Sequence, residues 1–257
     1  MKKVIGIDLG GSKIRLIGMD SRAKVFRKQI FGTLKESFEK IFDQLIKVIK
    51  ENLTAEIKAI GIGVAGPVDS NKIIVACPNL PGFERRPLAE LIEKVIHLPV
   101  IMDNDANCAL LSEMWLGTGK NQKNIFLVTL GTGIGGSLAI DGRIYHGNNQ
   151  IAGEFGHTII DPAGPKCKCG QKGCLEAFWQ KRINEDRYLA IGLVNIYRIN
   201  TPDIIVVSGG VASDKKIESI NKEIKKIIGH NLPLKKGKLG QWAGAIGAAK
   251  LAMNYGT

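Results

Sequence analysis

Two copies of one short pattern constrain the fold of this chain more than any other feature of its 257 residues. Each copy is an apolar run typical of a buried β-strand, then a glycine turn, then an alternating run typical of a returning strand. The copies begin near residues 4 and 125, and aligning them without gaps pairs Leu9 with Leu130 and Gly10 with Gly131. Because an internal repeat indicates a duplicated unit, we expect two α/β halves with one strand–turn–strand motif in each.

The helices between the strands are predicted from capping signals and from apolar residues at helical spacing. Thr33 and Glu36 have the spacing of a capping box, which predicts that the first helix opens there, with Leu34 at the start of its core face. The last helix, from Gln241, is dense in alanine and glycine. Such small residues allow one backbone to pack closely against another.

The length suits either one large domain or two of ordinary size, and the repeat favours two. We expect an N-terminal α/β domain at 1–116, which the helix at 241–257 completes. A C-terminal α/β domain is expected at 117–240, with the boundary near residues 115–119.

The second glycine turn resembles several nucleotide-binding loops. Gly131, Gly133 and Gly136 match the dinucleotide fingerprint, but that fingerprint must open a helix, and the residues that follow alternate like a strand. The motifs of P-loop proteins and of protein kinases are missing from the sequence. A single glycine turn is more simply explained as a tight turn. Two such turns in register, at 10–12 and 131–133, instead favour backbone N–H groups that bind one polyphosphate.

A dense polar run, at 103–107, follows the predicted strand at 99–103. Asp, Asn and first-turn acids commonly cap a helix, which is the simplest interpretation. One cap needs one such residue, however, and four of these five are polar. The excess points to a carboxylate, Asp105, that accepts a proton from a substrate hydroxyl.

Four residues have the identity and spacing of a closed zinc site: His157, Cys167, Cys169 and Cys174. Three thiolates and one imidazole complete a tetrahedron, which leaves no open position for metal catalysis. We therefore expect a structural zinc ion in a loop at 157–174, with Glu154 and Glu176 flanking it. The two remaining cysteines, Cys77 and Cys108, are expected to be buried free thiols.

Composition is ordinary for a globular protein, with 44% hydrophobic and 23% charged residues. No apolar run approaches the length of a membrane span, and the start lacks a signal-peptide pattern. We expect a cytosolic protein that binds no membrane. The net charge of +12 favours anionic partners. No nucleic-acid motif accompanies it, so we expect no nucleic-acid partner.

These motifs, in this order, resemble the ROK family of sugar kinases and sugar-responsive repressors. The resemblance covers nearly the whole chain, and it is the ordered set that is specific. The motifs that carry it are DLGGSK at 8–13, GVAGPV at 63–68, PNLPG at 78–82, NDAN at 104–107, LGTGIGG at 130–136, ExGH at 154–157, the cysteine cluster with Glu176, and SGG at 208–210.

The resemblance implies an α/β fold with two ribonuclease-H-like domains of the actin and hexokinase type around a central cleft, with the zinc-stapled loop in the second domain. It also implies roles for residues. The implied nucleotide and phosphate contacts are Asp8 (near Mg²⁺), Gly10, Gly11, Ser12, Lys13, Thr132, Gly133, Gly209 and Gly210. The implied sugar contacts are Asn79, Asn104, Asp105, Glu154, His157 and Glu176, with Asp105 as general base and His157 also a zinc ligand.

The implied function is ATP- and Mg²⁺-dependent phosphorylation of a hexose, glucose to glucose 6-phosphate, by a homo-oligomer such as a dimer. A fructokinase and a kinase for N-acetylmannosamine or N-acetylglucosamine are alternatives within the family. A non-catalytic sugar-sensing protein is the alternative of another class. Family repressors carry an N-terminal helix-turn-helix, for which a first strand at residue 4 leaves no room.

One departure from the family lies between Phe178 and Ser208, where this chain is shorter than usual. The usual extra helices help to form the nucleotide pocket and the subunit contact. Zinc, in contrast, is expected to hold the sugar-binding acids. Chelation should therefore weaken sugar binding and stability before it affects nucleotide binding.

Overall fold

The computed structural model describes residues 2–77 and 79–255, which fold into two compact units, each with its own five-stranded sheet. Pro78 of the predicted PNLPG motif lies outside the described residues. The first unit comprises Met1–Ser112, Gly147–Ile151 and Trp242–Thr257. The second comprises Glu113–His146 and Ala152–Gln241.

The sheet of the first unit has the strand order β3-β2-β1-β4-β5. Its strands are β1 (Lys3–Leu9), β2 (Lys13–Asp20), β3 (Val25–Gly32), β4 (Ile57–Val64) and β5 (Val100–Asn104). The first three strands pair antiparallel through two hairpins, whereas β1, β4 and β5 run parallel. The carboxyl ends of the parallel strands therefore meet at one edge, where ligands bind in many α/β proteins.

The sheet of the second unit repeats this plan. Its strands are β6 (Ile125–Leu130), β7 (Ile134–Ile140), β8 (Arg143–Ile144), β9 (Ile204–Ser208) and β10 (Leu234–Lys236). Read from β8, the order β8-β7-β6-β9-β10 matches β3-β2-β1-β4-β5, with the same parallel and antiparallel pairings. The predicted duplication of strand, glycine turn and return strand is confirmed.

The described residues form seven α-helices: α1 (Phe38–Asn52), α2 (Leu88–Ile96), α3 (Asp105–Leu116), α4 (Leu175–Gln180), α5 (Glu185–Asn200), α6 (Asp214–Ile228) and α7 (Ala243–Met253). None of the described helices is both long and apolar enough to cross a membrane.

The first helix starts later than predicted. The capping-box prediction at Thr33 is wrong, because Ser37 is the N-cap and its hydroxyl accepts a hydrogen bond from the Lys40 N–H at 3.3 Å. The Thr33 hydroxyl instead donates to the Gly10 carbonyl at 2.8 Å, and Leu34 is exposed rather than in the core. A long-range partner therefore displaces the local cap.

The glycine turn at 131–133 connects two antiparallel strands, β6 and β7. A dinucleotide fingerprint would open a helix at this point, so the rejection of the Rossmann interpretation is confirmed. The core of the second unit lies under this sheet and is formed by β6, β9 and helices α4, α5 and α6.

The two faces of strand β1 pack against different helices. Its odd-numbered residues Ile5, Ile7 and Leu9 are buried in one apolar cluster with residues of α1 and α2. The opposite face carries Gly6, where a methyl group would lie 2.2 Å from the Ala245 carbonyl oxygen of α7. Alternation along the strand therefore assigns one face to large apolar side chains and the other to a helix at very close range.

The same close approach recurs on strand β4. A methyl group on Gly61 would lie 1.8 Å from the Ala248 carbonyl oxygen, which belongs to the α7 backbone and cannot rotate away. Gly247 of α7 in turn packs against α3, because a methyl group on Gly247 would lie 1.6 Å from the Cys108 carbonyl oxygen. The glycine and alanine content of the last helix thus reflects backbone packing.

We predict that Gly61→Ala destabilises the first unit by about 2–3 kcal/mol, the usual effect of forcing an extra carbon into a packed core. Urea denaturation measures the free energy of unfolding. Gly32→Ala is the matched control, because a methyl group there meets no atom within 4 Å. Equal stability of the two variants would contradict the packing described for α7.

Candidate functional site

The glycine turn of the first unit is closed by a hydrogen bond from the Gly10 N–H to the Lys13 carbonyl at 3.1 Å. Ser12 and Lys13 are exposed. The backbone of Asn79 packs directly on the turn, since a methyl group on Gly11 would lie 2.7 Å from the Asn79 carbonyl oxygen. The structure therefore brings the predicted phosphate-binding residues together with one predicted sugar-binding residue.

Asp8 precedes this turn on β1 and is 13% exposed. Its Oδ2 accepts a hydrogen bond from Nη1 of Arg15 at 2.9 Å. Burial raises the pKa of the Asp8 carboxyl, and the Arg15 charge and hydrogen bond oppose that rise. The carboxylate lies beside Gly244, where a methyl group would be 2.9 Å from the Asp8 Cγ, so it packs against the first turn of α7.

Asp8 belongs to a row of residues that crosses three parallel strands. It pairs with Gly63 on β4, and Gly63 pairs with Asp103 on β5. Neighbouring strands are about 4.8 Å apart, so the backbones of the two aspartates are separated by roughly 10 Å. The glycine between them lets α3 pack closely on the middle strand, since a methyl group on Gly63 would lie 3.1 Å from the Cys108 sulfur and 3.5 Å from the Asp105 Cα.

The polar side chains of the run at 103–107 make different hydrogen bonds at the start of α3. Asn104 caps α3, because its Oδ1 accepts from the Ala106 and Asn107 N–H groups at 2.8 and 3.3 Å. Asp103 accepts from Nδ2 of Asn107 at 2.8 Å. Asp105 is the first residue of α3, and its Oδ1 lies 2.8 Å from the Ala106 nitrogen. The cap is thus supplied by Asn104, and Asp105 is an additional acid at the helix start.

The glycine turn of the second unit is contacted by the loop at 209–211. A bond from the Gly131 N–H to the Gly133 carbonyl at 3.0 Å closes the turn, and Thr132 is exposed. Gly209 has a φ of +98°, and a methyl group on it would lie 2.4 Å from the Leu130 carbonyl oxygen. Gly210 has open space around its Cα. The predicted phosphate and adenosine residues of this unit therefore lie side by side.

Helix α4 holds the same turn from another side. Oε2 of Glu176 accepts from the Ile134 N–H at 3.0 Å, and Nε1 of Trp179 donates to the Gly131 carbonyl at 3.0 Å. Trp179 is a functional candidate that the sequence alone does not indicate, because a tryptophan among apolar helix residues has the pattern of an ordinary core residue.

His157, Cys167, Cys169 and Cys174 converge, with ligand atoms within 4.8 Å of one another. The sulfurs of Cys169 and Cys174 are 3.6 Å apart, and Nδ1 of His157 is 3.8 Å from the Cys167 sulfur. Ligands of a tetrahedral zinc ion are separated by about 3.5–3.8 Å, so the residues fit this metal. All five cysteines are free, and the predicted burial of Cys77 and Cys108 is confirmed.

Glu154 lies on the outer side of the predicted zinc site. Its Oε2 is 3.9 Å from Nε2 of His157, the ring nitrogen that faces away from the cysteines. Burial raises the pKa of the Glu154 carboxyl, His157 lowers it, and the charge of Glu176 raises it further. A carboxylate that faces the other ring nitrogen of a ligating histidine favours one orientation of the ring. Glu154, His157 and Glu176 belong to the second unit, whereas Asn79, Asn104 and Asp105 belong to the first.

A buried acid outside every predicted site is Glu113 on α3, which is 0% exposed. Its carboxylate accepts from the N–H groups of Thr118 at 2.7 Å and Leu239 at 2.9 Å. It therefore ties the loop after α3 to the loop after β10. An acid among the apolar residues of the second half of α3 is the signal that marks it in the sequence.

The sequence model of the ROK family matches this chain in two segments, residues 4–185 and 180–255. The chain belongs to the ROK family. The predicted resemblance is confirmed. The two segments meet just after the cysteine cluster, where this ROK protein was expected to be shorter than its relatives. Accordingly, the Streptomyces coelicolor glucokinase, 28% identical, aligns over 312 positions with 98% of each chain, so the alignment has gaps in these 257 residues.

Several named relatives are similar to this ROK protein. The glucokinase of Halalkalibacterium halodurans is 39% identical over 67% of this chain and 54% of its own length. The glucokinase of Thermotoga maritima is 36% identical, over 68% and 56%. The chain thus spans little more than half of these two relatives. The N-acetyl-D-glucosamine kinase of Photobacterium profundum is 28% identical over 96% of this chain and 98% of its own length. The xylose repressor of Bacillus spizizenii is 28% identical over 98% of this chain and 77% of its own length.

Solved structures share the fold over almost the whole chain. The ROK hexokinase of Thermus thermophilus has a TM-score of 0.82 and 30% identity, with 98% of both chains covered. The ROK glucokinase of Streptomyces griseus, solved with glucose and AMPPNP, has a TM-score of 0.85 and 26% identity, with 98% and 99% covered. With two mixed sheets and the cysteine–histidine cluster, these likenesses confirm the predicted α/β fold class.

We predict that removing the metal from the cysteine–histidine cluster lowers the melting temperature by at least ~5 °C, since structural zinc contributes folding energy and each kcal/mol lost costs about 2–4 °C at this size. Calorimetry with and without a zinc chelator measures the shift. In Cys169→Ser, which alters an exposed ligand, the chelator should have no further effect. Zinc added to the chelated wild-type protein should restore its melting temperature. An unchanged melting temperature after verified metal loss would contradict a structural role.

Proposed function

We propose that this protein is an ATP-dependent sugar kinase that transfers a phosphoryl group to a hexose hydroxyl, with glucose as the first candidate. Its family membership and its glucokinase relatives support the proposal. The observation that carries it is the pair of glycine turns in equivalent places of two equal sheets, one of them next to Asp8 and in the same unit as Asp105.

In the proposed reaction Asp105 is the general base. The sugar hydroxyl oxygen forms a bond to the γ-phosphorus of ATP, the bond from that phosphorus to the β,γ-bridging oxygen breaks, and the hydroxyl proton passes to the Asp105 carboxylate. ADP leaves with the bridging electron pair. Asn104 fixes the start of α3 by its cap, and this fixes the backbone that carries Asp105.

The two turns are proposed to bind the phosphates of ATP. Phosphoryl transfer depends mainly on positioning and on charge stabilisation. Backbone N–H groups of the turns and the exposed Lys13 ammonium meet both needs. Gly209 and Gly210 are proposed to line the adenosine site, where Gly210 offers open backbone. The contributing residues are Gly10, Gly11, Ser12 and Lys13 in the first unit and Thr132 and Gly133 in the second.

Asp8 fits a role near Mg²⁺. Mg²⁺ is usually held by one or two carboxylates together with substrate phosphates and waters, and Asp8 places a carboxylate beside the first turn. Arg15 donates to its Oδ2. When bound, the ion neutralises charge on the transferred group. Asp8 itself supplies a fixed negative charge, which Arg15 and the first turn of α7 hold in one orientation.

The sugar is proposed to contact Asn79, Asn104, Asp105, Glu154, His157 and Glu176. The three residues of the second unit all lie within or next to the predicted zinc loop, and Glu154 contacts His157. Zinc is therefore proposed to hold the loop that orients these side chains. A homo-oligomer and a cytosolic location remain predictions.

We predict that Asp105→Asn reduces turnover at least ~10²-fold, because an amide keeps the shape of the side chain but cannot accept the proton. The KM for the sugar should change much less than kcat. Asp141→Asn, an exposed turn residue with a φ of +50° that asparagine also tolerates, is the matched control. Near-wild-type turnover of Asp105→Asn would rule out its role as the base.

A coupled ADP-release assay over glucose, fructose, mannose, N-acetylglucosamine and N-acetylmannosamine tests the function itself. We expect ATP consumption that depends on added sugar, with the highest kcat/KM for glucose. Preference for another of these sugars would select the corresponding family alternative. Sugar binding by calorimetry without turnover on any sugar would favour the sugar-sensing alternative, for which the xylose repressor relative is the precedent.

A further inference from the structure

Helix α4 grips the second glycine turn at both of its ends. Glu176 and Trp179 are three residues apart on the helix and so share one face. Glu176 bonds the Ile134 N–H at the exit of the turn, and Trp179 bonds the Gly131 carbonyl at its entry, both at 3.0 Å. Two rigid contacts from one helix face therefore fix the distance between the ends of the turn.

The turn is shaped to receive this grip. A methyl group on Gly133 would lie 2.1 Å from Oε2 of Glu176, so the missing side chain is what lets the carboxylate reach the backbone. The loop at 209–211 contacts the turn separately, through the bond from the Val211 N–H to the Leu130 carbonyl at 3.2 Å. Among the described residues, α4 and the loop at 209–211 both support the turn. Helix α4 contributes a side-chain donor, the indole N–H of Trp179.

Trp179 is itself immobilised by its surroundings. It is 2% exposed, and the Lys216 ammonium lies 4.7 Å from the centre of its ring. Lys216 is in turn paired with Glu185 at 2.7 Å and with Asp186 at 2.5 Å. Because the two acids fix the Lys216 ammonium and this cation packs on the indole ring, the ring has little freedom to rotate. Its N–H is therefore a stationary donor to the turn.

The opposite end of α4 leads directly into the cysteine–histidine cluster. Cys174 is the residue before the helix and occupies its N-cap position. The Leu175 N–H bonds the Thr158 carbonyl at 3.0 Å, which joins the helix start to the residue after His157. A metal ion bound by Cys174 and His157 would hold both segments at once, since both fit a tetrahedral zinc site.

We propose that Trp179 is a positioning residue for the nucleotide phosphates, and that the metal cluster supports the phosphate-binding turn through α4. The phosphate part of this inference rests on the proposed kinase function. It replaces the expectation that metal loss acts on the sugar before the nucleotide, because Glu176, a proposed sugar contact, is bonded to the phosphate-binding turn. Metal loss should then weaken sugar and nucleotide binding together.

The first test is Trp179→Phe, which removes the indole N–H and keeps an apolar ring. Calorimetry with a non-hydrolysable ATP analogue and Mg²⁺ should show a dissociation constant raised about fivefold to tenfold, the effect of one lost buried hydrogen bond. The dissociation constant for glucose should change less than about twofold. Trp242→Phe in the other unit is the matched control and should change neither constant.

Hydrogen–deuterium exchange at 131–134 provides a readout that needs no ligand. Exchange there should rise in Trp179→Phe, and in the wild type after a chelator has removed the metal, while exchange in the strands of the first unit stays constant. If Trp179→Phe fails to fold, the wild-type measurement still tests whether metal loss loosens the turn through α4.

Unchanged exchange at the turn after verified metal loss would overturn the link through α4. Equal loss of glucose and nucleotide affinity in Trp179→Phe would overturn its role in phosphate positioning. If the wild type binds no ATP analogue, the proposed function fails. The exchange data would still decide whether α4 supports the turn.

Discussion

The close approach of helix α7 to strands β1 and β4 sets the geometry of the first unit. It requires strand residues without side chains at Gly6 and Gly61, because the helix backbone occupies the space that a methyl group would take. Asp8 is two residues after Gly6 and faces the same side of the sheet, so the packing places its carboxylate at the first turn of the helix. The positive end of a helix dipole favours such a charge, and Arg15 supports it from the neighbouring strand. One steric constraint thus decides where the acid beside the first glycine turn points.

Local patterns in the sequence were sufficient for the repeat, for the glycine turns and for the convergence of the cysteine–histidine cluster. Each of these depends on residues that are near one another in the chain, such as the four cluster residues between His157 and Cys174. Predictions failed or were silent where a partner lies far away. Thr33 has the correct local spacing for a cap, yet its hydroxyl bonds Gly10, 23 residues earlier. Trp179 reaches a carbonyl 48 residues away, and no local pattern predicts that contact.

The two units share one topology and support their glycine turns differently. In the first unit the Thr33 hydroxyl and the Asn79 backbone contact the turn. In the second unit α4 does so. One contact is common to both units: the Ala65 N–H after β4 donates to the Leu9 carbonyl at 3.3 Å, and the Val211 N–H after β9 donates to the Leu130 carbonyl at 3.2 Å. The duplicated part therefore includes the sheet, its turn and this contact, whereas the other contacts to the turns differ.

The position of the last helix affects the order in which the two units can fold during synthesis. The four residues of the cysteine–histidine cluster lie within one short loop, so this cluster can form soon after the loop leaves the ribosome, because short loops have a small closure entropy. The first unit, in contrast, includes Trp242–Thr257 and cannot be completed until α7 has been made. Until α7 arrives, the glycine faces of β1 and β4 lack the helix that packs on them. The half that is translated first is thus the half that finishes folding last.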